Sequence, residues 1–342
     1  SGKNYKTTSD VVLVIDNSNS MYEDGRMTKT KTAAIAFANE LLTEGSSTRI
    51  ALVVYATNVR SFTEFYDYNK KAELIAKINA ISKETNNNNG GTNQQAGIHK
   101  AQELLASAAS TGKNKSIVIL SDGEATYSHP FTATATYSDC EAWSSIGCPR
   151  GGSLTGISAF TPNYNKIIGE GDSFNMSYNA EVSARCSKHD KTSTHNRIYN
   201  LDGTHTASGR TNNGVATIWE ANQAKNAGTT IYSVALQAGT NGENTLKACA
   251  SDPIKGYFAI GKNETDVAGK LTEAFTVIAG SIAIAAKNGV VNDQMSEFVD
   301  VYFDNAQGAP IITDDLNAYN AGNADIYISQ GTAAFEGEPE KI

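Results

Sequence analysis

Three segments of this chain, VVLVID at 11–16, RIALVVYA at 49–56 and SIVILSDG at 116–123, each hold consecutive apolar residues with no alternation. A strand with one wet face alternates, so an unbroken run of this length reads as a strand covered on both faces. Between and after these runs the spacing becomes helical. TKTKTAAIAFANELLTE (28–44) sets Ala33, Ala34, Phe37, Leu41 and Leu42 near one face, and KKAELIAKINAI (70–81) does so with Leu74, Ile78 and Ile81. NQQAGIHKAQELLASAA (93–109) is a further helix, and VRSFTEF (59–65) alternates as an edge strand does. The alternation resumes late in the chain, with a helix at 215–228 closed by Gly228, a strand at 229–236, a short helix at 243–251, a short strand at 256–260 and a long helix at 264–285. Strands alternating with helices predict an α/β fold, a doubly wound, mainly parallel sheet with helices on both faces.

Two stretches break this pattern. Residues 124–213 show no sustained period, are rich in Ser, Thr, Gly, Asn and Tyr, and hold three of the four cysteines and four of the five histidines. An irregular segment of that length inside a compact domain marks function or an inserted subdomain. After 286 the helical signal is gone, while EFVDVYF (297–303) and ADIYISQG (324–331) read as strands. The expected organisation is an N-terminal extension (1–9), an α/β domain built from 10–123 and 214–285, an inserted arm region (124–213), and a β-rich segment of a flanking module (286–342). The first residues carry no signal-peptide pattern, and the chain reads as a fragment of something larger.

Charge and hydropathy remove some functions. Lys and Arg number 28 against 36 Asp and Glu, and the basic residues form no run, so no nucleic-acid track is expected. The most apolar segment, AFTVIAGSIAIAA (274–286), is too short to span a bilayer and fits a buried helix, so no membrane insertion is expected of this fragment.

The strand ends carry the chemistry. In open α/β sheets ligands sit beyond the carboxyl ends of the strands. There DNSNS (16–20) puts Asp16, Ser18 and Ser20 at alternate positions, so that three oxygen-bearing side chains can converge. GGTN (90–93) puts Thr92 behind a glycine pair and before a helix, and SDG (121–123) puts Asp122 at the end of another strand. Carboxylates with hydroxyls are hard ligands, suited to Mg²⁺ or a similar cation, with Mn²⁺ and Ca²⁺ served by the same oxygens. Taken singly, each of these residues also fits a turn or a helix cap.

In this order and on these elements, DNSNS, GGTN and SDG resemble the metal-ion-dependent adhesion site of von Willebrand factor type A domains. The resemblance covers 10–123 and 214–285, roughly 185 residues, near the usual size of one domain. It implies Ser18, Ser20 and Thr92 as direct or near-direct ligands, Asp16 and Asp122 as ligands directly or through water, and one position left for a partner's carboxylate. The long insertion and the β-rich tail are similar to tip adhesins of Gram-positive pili, whose cysteine content is usually lower. The implied function is metal-dependent adhesion on a bacterial surface or pilus, outside the cell. The partners would be an acidic group of a host matrix or cell-surface protein and neighbouring pilus modules. A structural pilus component with an architectural ion is the alternative. A hydrolase ranks below both, because Ser18 stands where a DxDx phosphatase needs its acid and no other catalytic motif occurs.

Within the insertion, Tyr127, Phe131, Tyr137 and Trp143 suit a binding surface, or equally the small core of the arm. Cys140 and Cys148 close a short loop beside Gly147 and Pro149, which favours a local disulfide over a zinc site, free thiols being the other reading; the pairing of Cys186 and Cys249 stays open. His189, His195 and His205 match no zinc spacing and read as solvated loop histidines. His99 and His129 receive no role.

Overall fold

The computed structural model describes residues 8–83, 89–137, 154–169 and 213–287, together with strands at 177–186, 191–200, 205–206, 299–305, 310–312, 324–330 and 340–341. Its contacts divide the chain into a unit from Lys6 to Asn288 and a second that contains Gly289–Ile342.

The elements of the first unit follow the expected alternation. They run β1 (Ser9–Asp16), α1 (Arg26–Leu41), β2 (Thr48–Tyr55), β3 (Val59–Phe62), α2 (Lys71–Asn79), α3 (Gln94–Ala106) and β4 (Asn114–Ser121). An inserted group follows: β5 (Tyr127–Ser128), β6 (Phe131–Tyr137), β7 (Leu154–Pro162), β8 (Ile168–Gly169), β9 (Ser177–Cys186), β10 (Lys191–Asn200) and β11 (His205–Thr206). Then come α4 (Asn213–Asn226), β12 (Thr230–Leu236), α5 (Thr240–Cys249), β13 (Tyr257–Ile260) and α6 (Val267–Lys287). A six-stranded sheet has the order β13-β12-β4-β1-β2-β3. Its pairs are parallel except β2 with the edge strand β3. From β1 the chain builds outward through β2 and β3, and from β4 through β12 and β13 in the other direction. The strand order therefore reverses between β1 and β4, where doubly wound sheets leave a crevice for ligands.

Burial on both faces explains the unbroken apolar runs. Val11, Leu13 and Ile15 of β1 pack in one core with Phe37 of α1, Leu74 and Ile78 of α2, and Leu271 and Phe275 of α6. Val12 and Val14 pack in the other with Ile98 and Leu105 of α3 and Ile218 of α4. Each such side chain contributes about 1.5–3 kcal/mol when fully buried. Phe37 and Phe275 meet edge to face, centroids 5.4 Å apart, and tie the first helix to the last. The first 18 residues of α6 are long and apolar enough to cross a membrane, yet Leu271, Phe275, Ile278 and Ile282 are buried against the sheet.

The inserted group departs from the absence of period read in its sequence: it is made of strands. Five form a sheet of order β11-β10-β9-β6-β7, and β5 pairs with β8. β6 reads FTATATY and β10 reads KTSTHNRIYN. Threonine has the β-branched shape that strands favour but supplies little hydrophobic contrast between faces, so the twofold pattern is faint. In the second unit β14 (Val299–Asn305), β15 (Pro310–Ile312), β16 (Ala324–Gln330) and β17 (Glu340–Lys341) form an antiparallel sheet of order β15-β14-β16-β17.

Candidate functional site

β1 carries a buried carboxylate at each end, and the two are treated differently. At the amino end Asp10 accepts from Arg49 Nε and Nη2 at 2.9 and 2.8 Å, from Ser110 Oγ at 2.9 Å and from Gly112 N at 2.7 Å. It is matched by a cation. At the carboxyl end Asp16 accepts from Ser18 N at 2.8 Å and Ser121 Oγ at 2.5 Å. Among the described residues no Lys or Arg pairs with it.

The bond from Ser18 N bends the chain back over the end of β1, after which Asn19–Tyr22 form a short 3₁₀ turn. Ser18 Oγ and Ser20 Oγ then lie 3.1 Å apart, and Ser20 Oγ donates to Asp122 Oδ1 at 2.9 Å. Gln94, the first residue of α3, donates through Nε2 to Ser121 Oγ and to Gly123 O, each at 3.0 Å, and fixes the end of β4. The GGTN loop is brought against this turn by Asn19 N donating to Gly90 O at 2.9 Å. Gly90 lies close against Asn19: a Cβ there would fall 2.2 Å from the Asn19 side-chain amide, which would have to move aside. Thr92 is buried, and its carbonyl accepts from Thr126 N and Tyr127 N. The structure thus gathers Asp16, Ser18, Ser20 and Asp122 in one hydrogen-bonded cluster and seats the Thr92 loop beside it.

Burial pushes the Asp16 carboxyl up to about 7, with repulsion from Asp122 adding to it. Asp122 is also raised by burial, against the opposing pull of Ser20 and Arg26. Two neighbouring carboxylates held out of water resist ionising together, and a cation relieves both. Among the described residues no group of three or more His, Cys, Asp or Glu gathers as a metal cage. The donor set is two carboxylates with hydroxyls, which fits a hard divalent ion.

Arg26 is the member that sequence reasoning missed. It opens α1 behind Gly25, whose φ is +69°. Its Nη1 donates to Asp122 Oδ2 and to Ser20 O, each at 3.0 Å, and its Nε to Gln237 Oε1 at 3.2 Å. No spacing marks it, because its partners lie up to 211 residues away.

A second polar cluster involves His99 and His129. Glu220 of α4 is buried. It accepts from Tyr164 OH at 3.0 and 2.8 Å, from Gln102 Nε2 at 2.8 Å and from Gln95 Nε2 at 3.3 Å, and His99 Nδ1 lies 3.0 Å away. His99 stacks on the Tyr164 ring, and His129 meets the same ring edge-on.

Residues 10–142 match the von Willebrand factor type A domain. The central sheet described above, with β1 ending in DNSNS, belongs to the same fold. Over 310 residues it is 28% identical to the minor fimbrium subunit Mfa5 of Porphyromonas gingivalis, covering 83% of this chain and 24% of that protein. It therefore spans about a quarter of that relative's length. The crystal structure of the vWF domain of the type V pili tip protein Mfa5 aligns with a TM-score of 0.54 at 21% identity, over 84% of this chain and 99% of that one. The pilus adhesin SpaC of Lactobacillus rhamnosus GG, in its open conformation, aligns with a TM-score of 0.55 at 16% identity, over 89% of this chain and 33% of that one. The adhesive tip pilin GBS104 of Group B Streptococcus agalactiae gives 0.52 at 16% identity, over 80% and 100% of the two chains.

The aromatics expected of the inserted arm occupy different settings. Phe131 is buried and meets Trp219 of α4 edge-on at 5.0 Å. Tyr127 is half-buried, its ring lying where a Cβ on Gly91 or Gly169 would fall. Tyr137 ends β6. Trp143, Cys140, Cys148 and His189 lie outside the described residues. Cys186 ends β9, His195 and His205 lie on β10 and β11, and Cys249 is a buried free thiol.

Proposed function

We propose that this type A domain is the adhesive part of a surface or pilus protein, and that it binds an acidic group of a host matrix or cell-surface protein through a Mg²⁺-class ion. The observation that carries this reading is the contrast between Asp10, neutralised by Arg49, and Asp16, which accepts from Ser18 and Ser121, is repelled by Asp122 and, among the described residues, pairs with no Lys or Arg. Asp16, Ser18, Ser20, Thr92 and Asp122 would hold the ion. When bound, the ion supplies a positive charge to which a carboxylate can attach. The protein's part is to keep the oxygens converged. The Ser18 N bond fixes the turn, Ser121 and Gln94 fix the strand ends, and Gly90 admits the Thr92 loop. Relatives that are a fimbrium subunit and pilus adhesins support a binding protein at the cell surface or on a pilus rather than an enzyme.

The test is binding to immobilised collagen, fibronectin and laminin in Mg²⁺, in EDTA, and in EDTA followed by Mg²⁺, with Asp16→Ala as the site variant. The expected result is binding lost in EDTA, restored by Mg²⁺, and absent in D16A with the fold retained by circular dichroism. Binding indifferent to EDTA and to D16A overturns the reading and moves recognition to another surface.

A further inference from the structure

Arg26 stands between two sets of carboxylates. Inward it makes a 3.0 Å ion pair with Asp122, whose side chain has no solvent exposure. Outward it lies 3.8 Å from Glu23 and 3.5 Å from Asp24, which are 70% and 75% exposed. Its own side chain is 15% exposed, so it borders the site and solvent at once. The second bond of the same Nη1, to Ser20 O, holds the guanidinium over the turn that carries both site serines. The guanidinium can thus yield Asp122 without losing every anionic partner.

We propose that Arg26 is a resident cation of the ion site, a positioning and affinity-setting residue that competes with the divalent ion for Asp122. The inference rests on the ion-site reading above. The charge count decides its direction. Asp16 and Asp122 together carry two negative charges when ionised, and a divalent ion balances them. Arg26 adds one positive charge that the site must accommodate beside the ion. Like charges that share one carboxylate in a partly buried setting repel. Arg26 therefore lowers affinity for the free ion and holds Asp122 in place before the ion arrives.

Calorimetric titration of Mn²⁺, after exhaustive chelation, into the wild-type chain, Arg26→Gln and Arg26→Lys tests this, with melting in EDTA and in Mn²⁺ as a second readout. Gln keeps a donor and removes the charge, and Lys keeps the charge. The expected result is Mn²⁺ binding about tenfold tighter in R26Q, from the loss of one repelling charge, and no such gain in R26K, which keeps the charge. R26Q should also melt lower than wild type in EDTA and gain more from Mn²⁺, since tighter binding to the folded state adds stability. If wild type and R26Q both bind but R26Q binds equally or more weakly, Arg26 is only a structural support and the inference fails while the ion site stands. If wild type is silent and R26Q binds, the competition is stronger than proposed and the inference holds. If neither binds, the ion-site reading fails and this inference with it.

Discussion

Ser20 Oγ donates to Asp122 Oδ1 across 2.9 Å, joining residues 102 apart in sequence. The bond fastens the turn after β1 to the turn after β4, at the reversal of strand order. Removing the hydroxyl leaves a buried carboxylate oxygen without its donor, at a cost of about 1–3 kcal/mol. Ser20→Ala should therefore lower stability by that amount in EDTA, and Ser20→Thr by much less. Urea unfolding followed by circular dichroism measures both. Equal stability of S20A and wild type would show that Asp122 is held by Arg26 alone.

The raised carboxyl of Asp16 sets a pH dependence for the ion-free protein. Its folded value, about 7, exceeds the ordinary 3.8 of the unfolded chain. Between these two values the folded state keeps a proton that the unfolded state has released. The stability contributed by the neutral carboxyl is complete below pH 4 and is lost as pH rises toward 7. Asp16→Asn, which cannot ionise, should remove this part of the slope. Melting temperatures of both proteins in EDTA from pH 4.5 to 7.5 check it. Parallel profiles for the two would contradict the assignment. In the same window Mn²⁺ affinity should rise with pH in the wild type, because proton and ion compete for one carboxylate.

How far the sequence exposed this arrangement follows from the range of the interactions. The sheet was legible because burial on both faces prints itself as unbroken apolar runs, and β1, β2 and β4 fall within a few residues of 11–16, 49–56 and 116–123. Asp16, Ser18 and Ser20 were legible because alternate positions on extended chain share a side. Ser121 lies within SDG without a local sign of its role, although it makes the shorter of the two described bonds to Asp16. Arg26 and Gln94 act across the fold, and nothing local distinguishes them from surface polar residues. The inserted strands were faint because Thr and Ser do not separate a wet face from a dry one.

Cys249 is buried in the core beside α4 and β12, and burial pushes its thiol up to about 12. Only the thiolate is nucleophilic. The native protein should therefore leave this thiol unmodified by iodoacetamide at pH 8 over an hour, and label it fully in 6 M guanidinium. Peptide mass mapping reads the site. Rapid native labelling would mean that the α5 end opens readily.

Gly97 lets α3 approach β1 and β2 closely. A Cβ at this position would lie 2.7 Å from Tyr55 Cδ1 and 2.9 Å from Val14 Cγ1, inside the core. Alanine is the better helix former by about 1 kcal/mol, but overpacking costs about 1–3 kcal/mol. Gly97→Ala should lose stability on balance, whereas Gly280→Ala in α6, where nothing lies within 4 Å, should not. Thermal melts of the two variants decide the sign, and a stabilised G97A would mean that α3 can retreat from the sheet.

Glu220 joins three parts of the first unit that are distant in sequence: α3 through Gln95, His99 and Gln102, α4 on which it sits, and the inserted segment through Tyr164. In Glu220→Gln the volume is kept, but an amide NH₂ replaces an acceptor among groups that include the Tyr164 and Gln102 donors. At least one donor then loses its partner in a buried place, which costs about 1–3 kcal/mol. The loss should be local as well as global. Tyr164 is the inserted segment's contact with the carboxylate, so the segment around 161–169 should become more open to trypsin at Lys166 while the β1 and β4 core stays protected. Limited proteolysis with mass mapping, set beside urea unfolding, separates the two effects. Global destabilisation with no change at Lys166 would show that the cluster serves the α3–α4 contact alone. Unchanged stability would show that Tyr164 and Gln102 find other partners.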